Sequence, residues 1–430
     1  MGLLIYNTFL LLYGAAARLL SLFSPKTKLW VEGRRQWKRQ WQEKLQQAGI
    51  GPGDTVVWMH ASSLGEFEQG RPLIEALKRE HPGTRIVVTF FSPSGYEARK
   101  HYTGADVLGY LPFDNQRDAR HFVAMIHPAL VLWIKYEYWY YILRILRDQQ
   151  IPVVLVSGIF RAGQPFFRWY GALHRQMLGF FSHLFVQNEE SATLASRIID
   201  SNRISISGDT RFDSVLEVAR NWQPNALVEK WLADAQKVVV AGSTWSQDEE
   251  EIVHYARTNP EVKWIIAPHN LEQNVMNDTL RLFQHPVQYS QLAAGNAAAN
   301  PALPNVLIID NIGMLRYLYN YATVCYVGGG FTGDGVHNVL EAAVYAKPVI
   351  HGPEYEKYIE AVGLLEAGGS FEFESGLELE ELLGKLWNDK HLITIAGSAA
   401  GQFVKTKAGA ADRILQWIQL NRLLTRSKNR

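Results

Sequence analysis

The amino-acid sequence predicts two doubly wound α/β domains, each built on a parallel β-sheet with helices on both faces. From residue 50 onward, short apolar runs rich in β-branched residues alternate with helical segments, which is typical of buried parallel strands. The alternation begins again at "KVVVAGSTW" (237–245), where a second strand, tight turn and helix follow one another. The 430 residues suffice for two or three domains.

The strand candidates give each half its own sheet. In the first half they are 55–59, 85–91, 106–111, 129–134, 152–156, 183–187 and 204–207, and in the second half they are the run before "AGSTW", then 262–267, 305–309, 323–327 and 347–350. Ligands of doubly wound sheets bind at the carboxyl ends of the strands. We therefore expect a ligand cleft between the carboxyl ends of the two sheets.

Composition and charge exclude several classes of protein. The formal net charge is +1, so we expect no nucleic-acid partner, because such proteins usually carry a basic surface. Cys325 is the one cysteine, which excludes an intrachain disulfide and fits a reducing compartment. The sequence contains no CxxC or HExxH pattern and no carboxylate cluster with metal-ligand spacing. We therefore expect no bound metal.

The N-terminus has the composition of a membrane-associated segment. Residues 2–25 are mostly apolar, with Arg18 as their only charge, and are near the length that spans a bilayer. Residues 26–44 then contain seven Lys or Arg and three tryptophans, which favour the cytoplasmic side and the lipid interface. The alternative is an amphipathic helix packed on the protein itself. We predict a membrane-associated segment over 1–45, an N-terminal domain over 46–220 and a C-terminal domain over 221–430.

The second half carries the pattern of a nucleotide site. In "VGGGFTGDGVHNVLEAA" (327–343) a strand ends in glycines, and a helix is predicted from about Val336. Glycines allow close backbone approach, and a helix N-terminus suits phosphate. A phosphate is expected near His337 and Asn338, with Glu341 on the same helix face accepting from ribose hydroxyls. The alternative is a loop whose glycines only allow helix and sheet to pack.

Three further turns follow strands of the second half and are expected to face the same ligand. Ser243 and Thr244 can donate to phosphate or cap a helix, and the sequence does not separate these roles. His269 ends one strand, and Gly313 allows close approach to a base. The predicted donor-binding residues are Gly242, Ser243, Thr244, Pro268, His269, Ile312, Gly313, Met314, Gly329, Gly330, Phe331, Gly335, His337, Asn338 and Glu341.

In the first half, a carboxylate follows the first strand. Ser63 and Glu66 have the S-x-x-E spacing of a capping box, which would give Glu66 a structural role and a lowered pKa. The same position, at the carboxyl end of a strand, would also suit a catalytic carboxylate facing the cleft. From the residues alone both roles remain open.

Several motifs in a fixed order give the chain a family resemblance. They are the apolar N-terminus with its basic flank, "HASSLGEFEQGRPLIEAL" (60–77), "GDTRFD" (208–213), "AGSTW" (241–245), "DNIGML" (310–315) and "GGGFTGDGVHNVLEAA" (328–343) followed by "GP" (352–353). In this combination the sequence resembles the 3-deoxy-D-manno-octulosonic acid (Kdo) transferases of lipopolysaccharide synthesis. The resemblance covers nearly the whole chain.

The resemblance implies a GT-B fold of two Rossmann-like domains and inversion at the anomeric carbon. It implies CMP-Kdo as donor substrate, bound by the C-terminal domain, and a lipid A precursor as acceptor at the cytoplasmic face of the inner membrane. Glu66 matches the family's general base, and no metal or other cofactor is expected. The residues assigned to the acceptor are Ser62, Ser63, Gly65, Glu137, Arg161 and Arg211.

The sequence departs from the family pattern around the acceptor. In "KYEYWYY" (135–141), Glu137 keeps the second carboxylate of an E-x-E-x-W-P motif, but Lys135 replaces the first. Arg211 stands where lysine is common, and Arg161 is placed differently from the usual arginine. Three alternatives are another GT-B transferase using a UDP-sugar, a sugar-nucleotide epimerase of the same fold, and a non-catalytic nucleotide-binding protein.

Overall fold

The computed structural model describes residues 2–135, 137–295 and 304–424, and the chain divides into two compact units. Unit 1 comprises Met1–Ser214 and Ala408–Arg430, and unit 2 comprises Val215–Lys407. Each unit contains a seven-stranded sheet in which all neighbouring strands run parallel. The predicted fold class, with two doubly wound α/β units, is confirmed.

The strands of unit 1 are β1 (Thr55–Ala61), β2 (Thr84–Phe90), β3 (Val107–Tyr110), β4 (Pro128–Ile134), β5 (Val153–Gly158), β6 (His183–Val186) and β7 (Ile204–Ile206). Its helices are α1 (Gly2–Leu20), α2 (Pro25–Glu32), α3 (Trp37–Gln47), α4 (Leu64–Glu80), α5 (Pro93–Arg99), α6 (Gln116–Ile126), α7 (Tyr140–Asp148), α8 (Ala172–Leu178) and α9 (Glu189–Ala195). Helix α10 (Arg211–Arg220) carries the chain from unit 1 into unit 2.

The strands of unit 2 are β8 (Val238–Thr244), β9 (Lys263–Pro268), β10 (Val287–Gln288), β11 (Val306–Ile308), β12 (Val324–Val327), β13 (Val349–His351) and β14 (Ser370–Glu372). Its helices are α11 (Ala226–Leu232), α12 (Ser246–Thr258), α13 (Gln273–Leu282), α14 (Tyr289–Ala293), α15 (Leu315–Leu318), α16 (Leu340–Ala343), α17 (Ile359–Glu366), α18 (Gly376–Asn388) and α19 (Lys390–Lys407). Helix α20 (Ala410–Leu420) returns to unit 1.

The strand order places a switch point in each sheet. The order in unit 1 is β3-β2-β1-β4-β5-β6-β7, and in unit 2 it is β10-β11-β9-β8-β12-β13-β14. In unit 1 the strands before and after the β1–β4 pair are added on opposite sides of the sheet, and in unit 2 the same is true of the β8–β12 pair. A crevice opens beyond the carboxyl ends of such a strand pair, because the connecting helices lie on opposite faces.

The sheet of unit 1 is buried on both faces, as its apolar strands require. Trp58 and Trp133 point to the face covered by α3, α6 and α7, whereas Val57 and Met59 point to the face covered by α4 and α20. Side chains alternate between faces because the strand period is two residues. Burial on both faces explains why these strands appear in the sequence as continuous apolar runs.

The basic, tryptophan-rich segment does not form part of a separate membrane domain, so the predicted 1–45 boundary is wrong at its end. Trp37 and Trp41 are 8% and 2% exposed and belong to the core of unit 1. The Trp41 ring lies 5.0 Å from the Phe122 ring, and its Nε1 donates to the Tyr110 carbonyl at 3.1 Å. With Leu45 these residues form one helical stripe, so for α3 the packed amphipathic helix is the correct interpretation.

The predicted C-terminal domain of 221–430 also needs correction. Helix α20 packs its Ile414, Leu415 and Ile418 against the unit 1 sheet, on the same face as α4. The boundary before unit 2 lies after Ser214, within α10, and not at residue 221. The alternation of strands and helices contains no signal for this return, because α20 resembles any other amphipathic helix.

Asp213 fixes the start of α20. Its carboxylate accepts hydrogen bonds from the backbone N–H groups of Gly409 at 2.7 Å and Ala410 at 3.1 Å. Removing a carboxylate cap usually costs about 1–2 kcal/mol. We expect Asp213→Ala to lower the free energy of unfolding of unit 1 by about that amount in urea titrations. The exposed Asp412→Ala, in the first turn of the same helix, is the control and should cost less than half as much.

Candidate active site

The turn from β1 into α4 lies beside the end of β4, at the switch point of unit 1. Ser63 is the N-cap of α4, and its hydroxyl accepts from the Glu66 backbone N–H at 3.4 Å. The carboxylate of Glu66 turns back and accepts from the Ser62 backbone N–H at 2.5 Å. The predicted capping arrangement is thus present, with Ser62 rather than Ser63 receiving the carboxylate.

The electrostatic environment of Glu66 differs from that expected for a simple cap. Burial raises the pKa of Glu66 to about 7, with Glu137 acting in the same direction, while the Ser62 N–H and Lys135 oppose the rise. The prediction that a capping role would lower the pKa of Glu66 is therefore wrong. A carboxylate with this pKa is divided between its two protonation states near neutral pH, which suits proton transfer.

Glu137 follows β4 and is held by groups of the protein. Ser62 Oγ donates to Glu137 Oε1 at 2.5 Å, and Trp139 Nε1 donates to Oε2 at 3.1 Å. The buried ring of His60 places its Nε2 3.6 Å from the same Oε2. Ser62 therefore joins both carboxylates, through its N–H to Glu66 and through its hydroxyl to Glu137. In this arrangement Glu137 positions the turn, and its predicted acceptor contact stays a prediction.

Charges from two other loops complete this site. Asp209, 5% exposed, accepts from Gln69 Nε2 at 2.7 Å and from Arg211 Nε at 2.8 Å. Burial alone would raise the pKa of Asp209, but Arg211 and Lys135 outweigh it, so this pKa lies below its ordinary value. Lys135 is 8% exposed, with a φ of 52° at the end of β4. It is the cation that acts on both Glu66 and Asp209.

The remaining predicted acceptor residues lie around this cluster. Gly65 is exposed in the first turn of α4, and the space where its Cβ would stand is open. Arg161 is exposed in the loop after β5, where its N–H donates to Gln164 Oε1 at 3.1 Å. Sequence reasoning did not identify Gln69 and Asp209, since buried polar residues of this kind are recognised only by their contacts.

In unit 2, Asp248 holds together the two turns at the switch point between β8 and β12. Its Oδ2 accepts from the backbone N–H of Trp245 at 2.8 Å and from that of Gly329 at 2.9 Å. Its Oδ1 accepts from the Tyr326 hydroxyl at 2.7 Å. Asp248 was not among the predicted residues, although its place in the first turn of α12 is a capping signal.

Three aromatic rings stack beside these turns. His269 stacks against both Trp245 and His337, with ring centroids 4.8 Å and 4.4 Å away and interplanar angles of 20° and 15°. Trp245 and His337 lie side by side and nearly coplanar, with 6.4 Å between centroids and 6° between planes. Trp245 Nε1 donates to His337 Nε2 at 3.0 Å. Because indole can only donate, His337 Nε2 carries no proton, and Nδ1 is the protonated nitrogen. Burial, with His269 nearby, lowers the pKa of His337 to about 4, so the ring is neutral at pH 7.

The predicted helix from Val336 is wrong. Helix α16 begins at Leu340 and contains four residues, and the chain before it is held by other contacts. The Val336 N–H donates to the Glu354 carbonyl at 2.8 Å, and the His337 N–H donates to the Gly328 carbonyl at 3.0 Å. These bonds replace the helical ones, so no helix terminus points at a phosphate near His337.

Several of the predicted donor residues have structural contacts. The Thr244 hydroxyl donates to Glu249 Oε1 at 2.8 Å and is buried, which leaves its phosphate role without support. A Cβ at Gly242 would lie 2.1 Å from the Tyr319 hydroxyl, and one at Gly330 would lie 2.6 Å from Gly352 Cα. At these two positions close packing requires glycine, and for Gly330 this agrees with the alternative interpretation of the glycine-rich loop.

The other predicted donor residues surround the same strand ends. Ser243 is the penultimate residue of β8 and has a φ of 55°, and Pro268 is the last, buried residue of β9. Asn338 Nδ2 donates to Glu341 Oε1 at 3.2 Å. Phe331 packs on Phe373, and Gly335 has a φ of 89°. The turn formed by Ile312, Gly313 and Met314 follows β11, and Ile312 is 86% exposed.

Within the described ranges, no group of three or more His, Cys, Asp or Glu side chains has the arrangement of a metal site.

Helix α1 is long and apolar enough to cross a membrane by length and composition. This is weak evidence when taken alone, because signal sequences and core helices share these properties.

The sequence is similar to proteins of one family. Residues 39–214 match the family described as 3-Deoxy-D-manno-octulosonic-acid transferase (kdotransferase). The chain is 25% identical over 384 residues to the 3-deoxy-D-manno-octulosonic acid transferase of Haemophilus influenzae, covering 86% of this chain and 87% of that one. It is 25% identical over 347 residues to the enzyme of the same name from Aquifex aeolicus, covering 79% and 88%.

Among solved structures, the chain resembles the UDP-GlcNAc 2-epimerase from Neisseria meningitidis bound to UDP-GlcNAc. The TM-score is 0.61 at 17% identity, covering 85% of this chain and 100% of that one. At this identity the likeness establishes the fold alone, which is the two-unit GT-B type. It does not choose between epimerase and transferase.

The protonation of Glu66 can be measured directly. We expect its carboxyl to titrate near pH 7, because burial favours the protonated form. Infrared difference spectra between the wild type and Glu66→Gln, recorded across pH 4 to 9, isolate this group. Lys135→Met should move the midpoint upward, since it removes the cation that stabilises the carboxylate. A midpoint near 4.5 in the wild type would contradict the expected burial effect.

Proposed function

We propose that this chain, which is similar to the Kdo transferases and has the GT-B fold, transfers Kdo from CMP-Kdo to a lipid A precursor. Glu66 carries this proposal. Its carboxylate lies at the switch point of unit 1, is held by one backbone N–H, and has a pKa of about 7. These are the properties of a general base that works near neutral pH.

The proposed reaction is a direct displacement with inversion. Glu66 removes the proton from an acceptor hydroxyl, and the oxygen forms a bond to the anomeric carbon of Kdo. The bond between that carbon and the phosphate oxygen breaks, and CMP leaves with the electron pair. Glu66 then gives its proton to water. One base suffices because no covalent sugar–enzyme intermediate forms, and CMP is already a good leaving group, so we propose that no metal ion is needed.

Ser62, Glu137 and Lys135 support the base in this proposal. Ser62 fixes the direction of the Glu66 carboxylate, and Glu137 fixes Ser62. The positive charge of Lys135 offsets the negative charge of Glu137. Glu66 therefore keeps an ionised fraction at pH 7 despite its burial. Arg161 and Arg211 are the proposed contacts for anionic groups of the acceptor.

We assign the donor to unit 2. Neutral His337 can donate through Nδ1 to the CMP phosphate, because Trp245 already occupies Nε2. Glu341 is the proposed acceptor for the ribose hydroxyls, and the backbone around Gly313 approaches the base. Because its pKa is about 4, the His337 ring is neutral at pH 7, and it would donate a single N–H to the charged phosphate.

The proposed place of action is the cytoplasmic face of the inner membrane, where a lipid acceptor is available. The apolar helix α1 supports membrane association.

The epimerase alternative has a specific basis, since an epimerase has the same fold. Labelled CMP-Kdo with a lipid A precursor, and UDP-GlcNAc in a parallel reaction, separate the two functions. Transfer of label to the lipid supports the transferase, and its persistence in EDTA supports a reaction without a metal ion. Epimerised UDP-sugar without labelled lipid refutes the transferase.

Replacing the base should abolish turnover without unfolding the protein. Glu66→Gln keeps the size of the side chain and an acceptor oxygen for Ser62, but it cannot take a proton. We expect transfer to fall by at least about 100-fold, measured as labelled lipid formed per minute. In the wild type, kcat/KM should fall about tenfold per pH unit below pH 7, as the base is protonated.

A neighbouring carboxylate is the matched control. Glu68→Gln, on the same helix, changes a carboxylate that pairs with Arg71 and Arg99, and it should keep most of the turnover. Near-normal turnover of Glu66→Gln would leave Glu66 with a capping role only.

Donor affinity should depend on unit 2 and not on Glu66. Loss of a hydrogen bond to a charged group costs about 1.5–3 kcal/mol, so Glu341→Ala should weaken CMP binding about 10- to 150-fold. His337→Ala should weaken it by a similar factor, because the neutral ring donates its N–H to a charged phosphate. Calorimetric titration of CMP measures both, with the exposed Glu366→Ala as control. The assignment is wrong if Glu66→Gln loses CMP while both unit 2 variants keep it.

A further inference from the structure

Helix α1 contacts unit 1 along one stripe that runs over most of its length. The least exposed positions of the helix are spaced by three or four residues, which is one face of an α-helix. They are Leu3, Tyr6, Leu10, Gly14 and Ala17. Leu3 and Tyr6 pack against the core of unit 1, and Leu10 and Ala17 are 5% and 7% exposed.

The beginning of α1 is held by polar contacts. The Tyr6 hydroxyl donates to Asp114 Oδ2 at 2.6 Å, and the Tyr141 hydroxyl donates to Asn7 Oδ1 at 2.8 Å. Asp114 is itself fixed, because it accepts from the backbone N–H groups of Tyr141 and Ile142, both at 2.9 Å. At Gly2 the helix is so close to α8 that a Cβ there would lie 3.3 Å from Leu173 Cβ.

The second half of α1 rests on aromatic rings. Tyr13 stacks on Phe113, with 6.3 Å between centroids and 10° between planes, and meets the edge of Trp30 at 5.5 Å. A Cβ at Gly14 would lie 3.7 Å from the Phe113 ring. Contacts with unit 1 thus extend from Gly2 to Ala17, about 22 Å along the helix axis.

A helix that crosses a bilayer cannot keep these contacts. Unit 1 would have to follow α1 into the hydrocarbon, taking with it the loop at Asp114 and the charged start of α6, "QRDAR" (116–120). Charged side chains and loop backbone are costly at that depth. We infer that α1 lies in the plane of the membrane interface, with one stripe on unit 1 and the opposite face in the lipid, and does not span the bilayer.

The outer face of α1 has the composition that an interfacial position requires. It exposes large apolar side chains and no acidic residue, and α1 carries Arg18 as its one charge. The exposed apolar residues of α1 are Leu4, Ile5, Phe9, Leu11, Leu12, Leu19 and Leu20. Leu22 and Phe23 continue this surface at 74% and 80% exposure.

A second element extends the surface at the other end of the helix. Trp169 and Tyr170 are 91% and 57% exposed, and they precede α8, whose Leu173 contacts the start of α1. Exposed tryptophan and tyrosine favour the headgroup region of a bilayer. Arg18, Lys26 and Arg35 are exposed near the opposite end, which suits an anionic leaflet. The occupant of this face is therefore an anionic lipid surface.

The depth of α1 in a bilayer tests its orientation. Ile5, Leu12 and Leu19 are spaced by seven residues on one face and are 63%, 61% and 63% exposed. In a Cys325→Ala chain, each is replaced in turn by cysteine carrying a fluorescent label, and depth-dependent quenching is measured in phosphatidylglycerol vesicles. We expect three similar depths. A spanning helix would place Leu12 deeper than both others, by about 10 Å when upright, and this result would overturn the inference.

Vesicle binding tests the second element. Trp169→Ala should weaken binding to phosphatidylglycerol vesicles by up to about tenfold, because it removes a large side chain from the interface. Leu420→Ala is the matched control, since Leu420 is 75% exposed on α20, on the opposite face of the sheet. Equal vesicle binding by the two variants would contradict the assigned surface. So would a protein that forms dimers in solution without vesicles and does not bind lipid, because a second copy would then cover the apolar face.

This inference is independent of the proposed function. The quenching and binding measurements need neither donor nor acceptor, and Trp169, Ile5 and Leu19 belong to no proposed catalytic or binding group. A chain that transfers no Kdo can still show three equal depths, and an active chain can show a spanning pattern.

Discussion

Backbone N–H groups in the turns after strands and at the starts of helices need acceptors where water is excluded, and in this protein carboxylates supply several of them. Glu66 accepts from Ser62, Asp114 from Tyr141 and Ile142, Asp213 from the start of α20, and Asp248 from Trp245 and Gly329. Asp114, Asp213 and Asp248 join segments far apart in sequence, whereas Glu66 closes its own turn.

Two carboxylates of the unit 1 site, Glu66 and Asp209, show opposite shifts of pKa. At Glu66 one backbone N–H does not compensate for burial, so its pKa rises into the neutral range. At Asp209 two nearby cations do compensate, and the carboxylate stays ionised. Of these two carboxylates, the less buried Glu66 can therefore exchange a proton near neutral pH, whereas the more buried Asp209 stays ionised and holds a loop. The difference comes from the number and sign of the neighbours, not from the residue type.

The sequence predicted the sheets well because buried parallel strands leave continuous apolar runs. The strands it missed, β10 and β14, have two and three residues and lie at the sheet edges, where no such run is required. It placed Glu66 in the right turn but could not give its pKa, which depends on Glu137 and Lys135, about 70 residues away in sequence. The helix predicted to begin at Val336 does not form there, because the Val336 and His337 N–H groups donate instead to the carbonyls of Glu354 and Gly328.

The return of α20 to unit 1 has a consequence for synthesis. Unit 2 is a continuous segment inserted in unit 1, so all of it is synthesised after the strands of unit 1 and before α20. Until α20 emerges, the unit 1 face formed by Val57, Met59 and their neighbours lacks part of its cover. The nascent chain therefore carries an open apolar surface through the synthesis of nearly 200 residues, and chaperone binding in that interval would protect the sheet from aggregation.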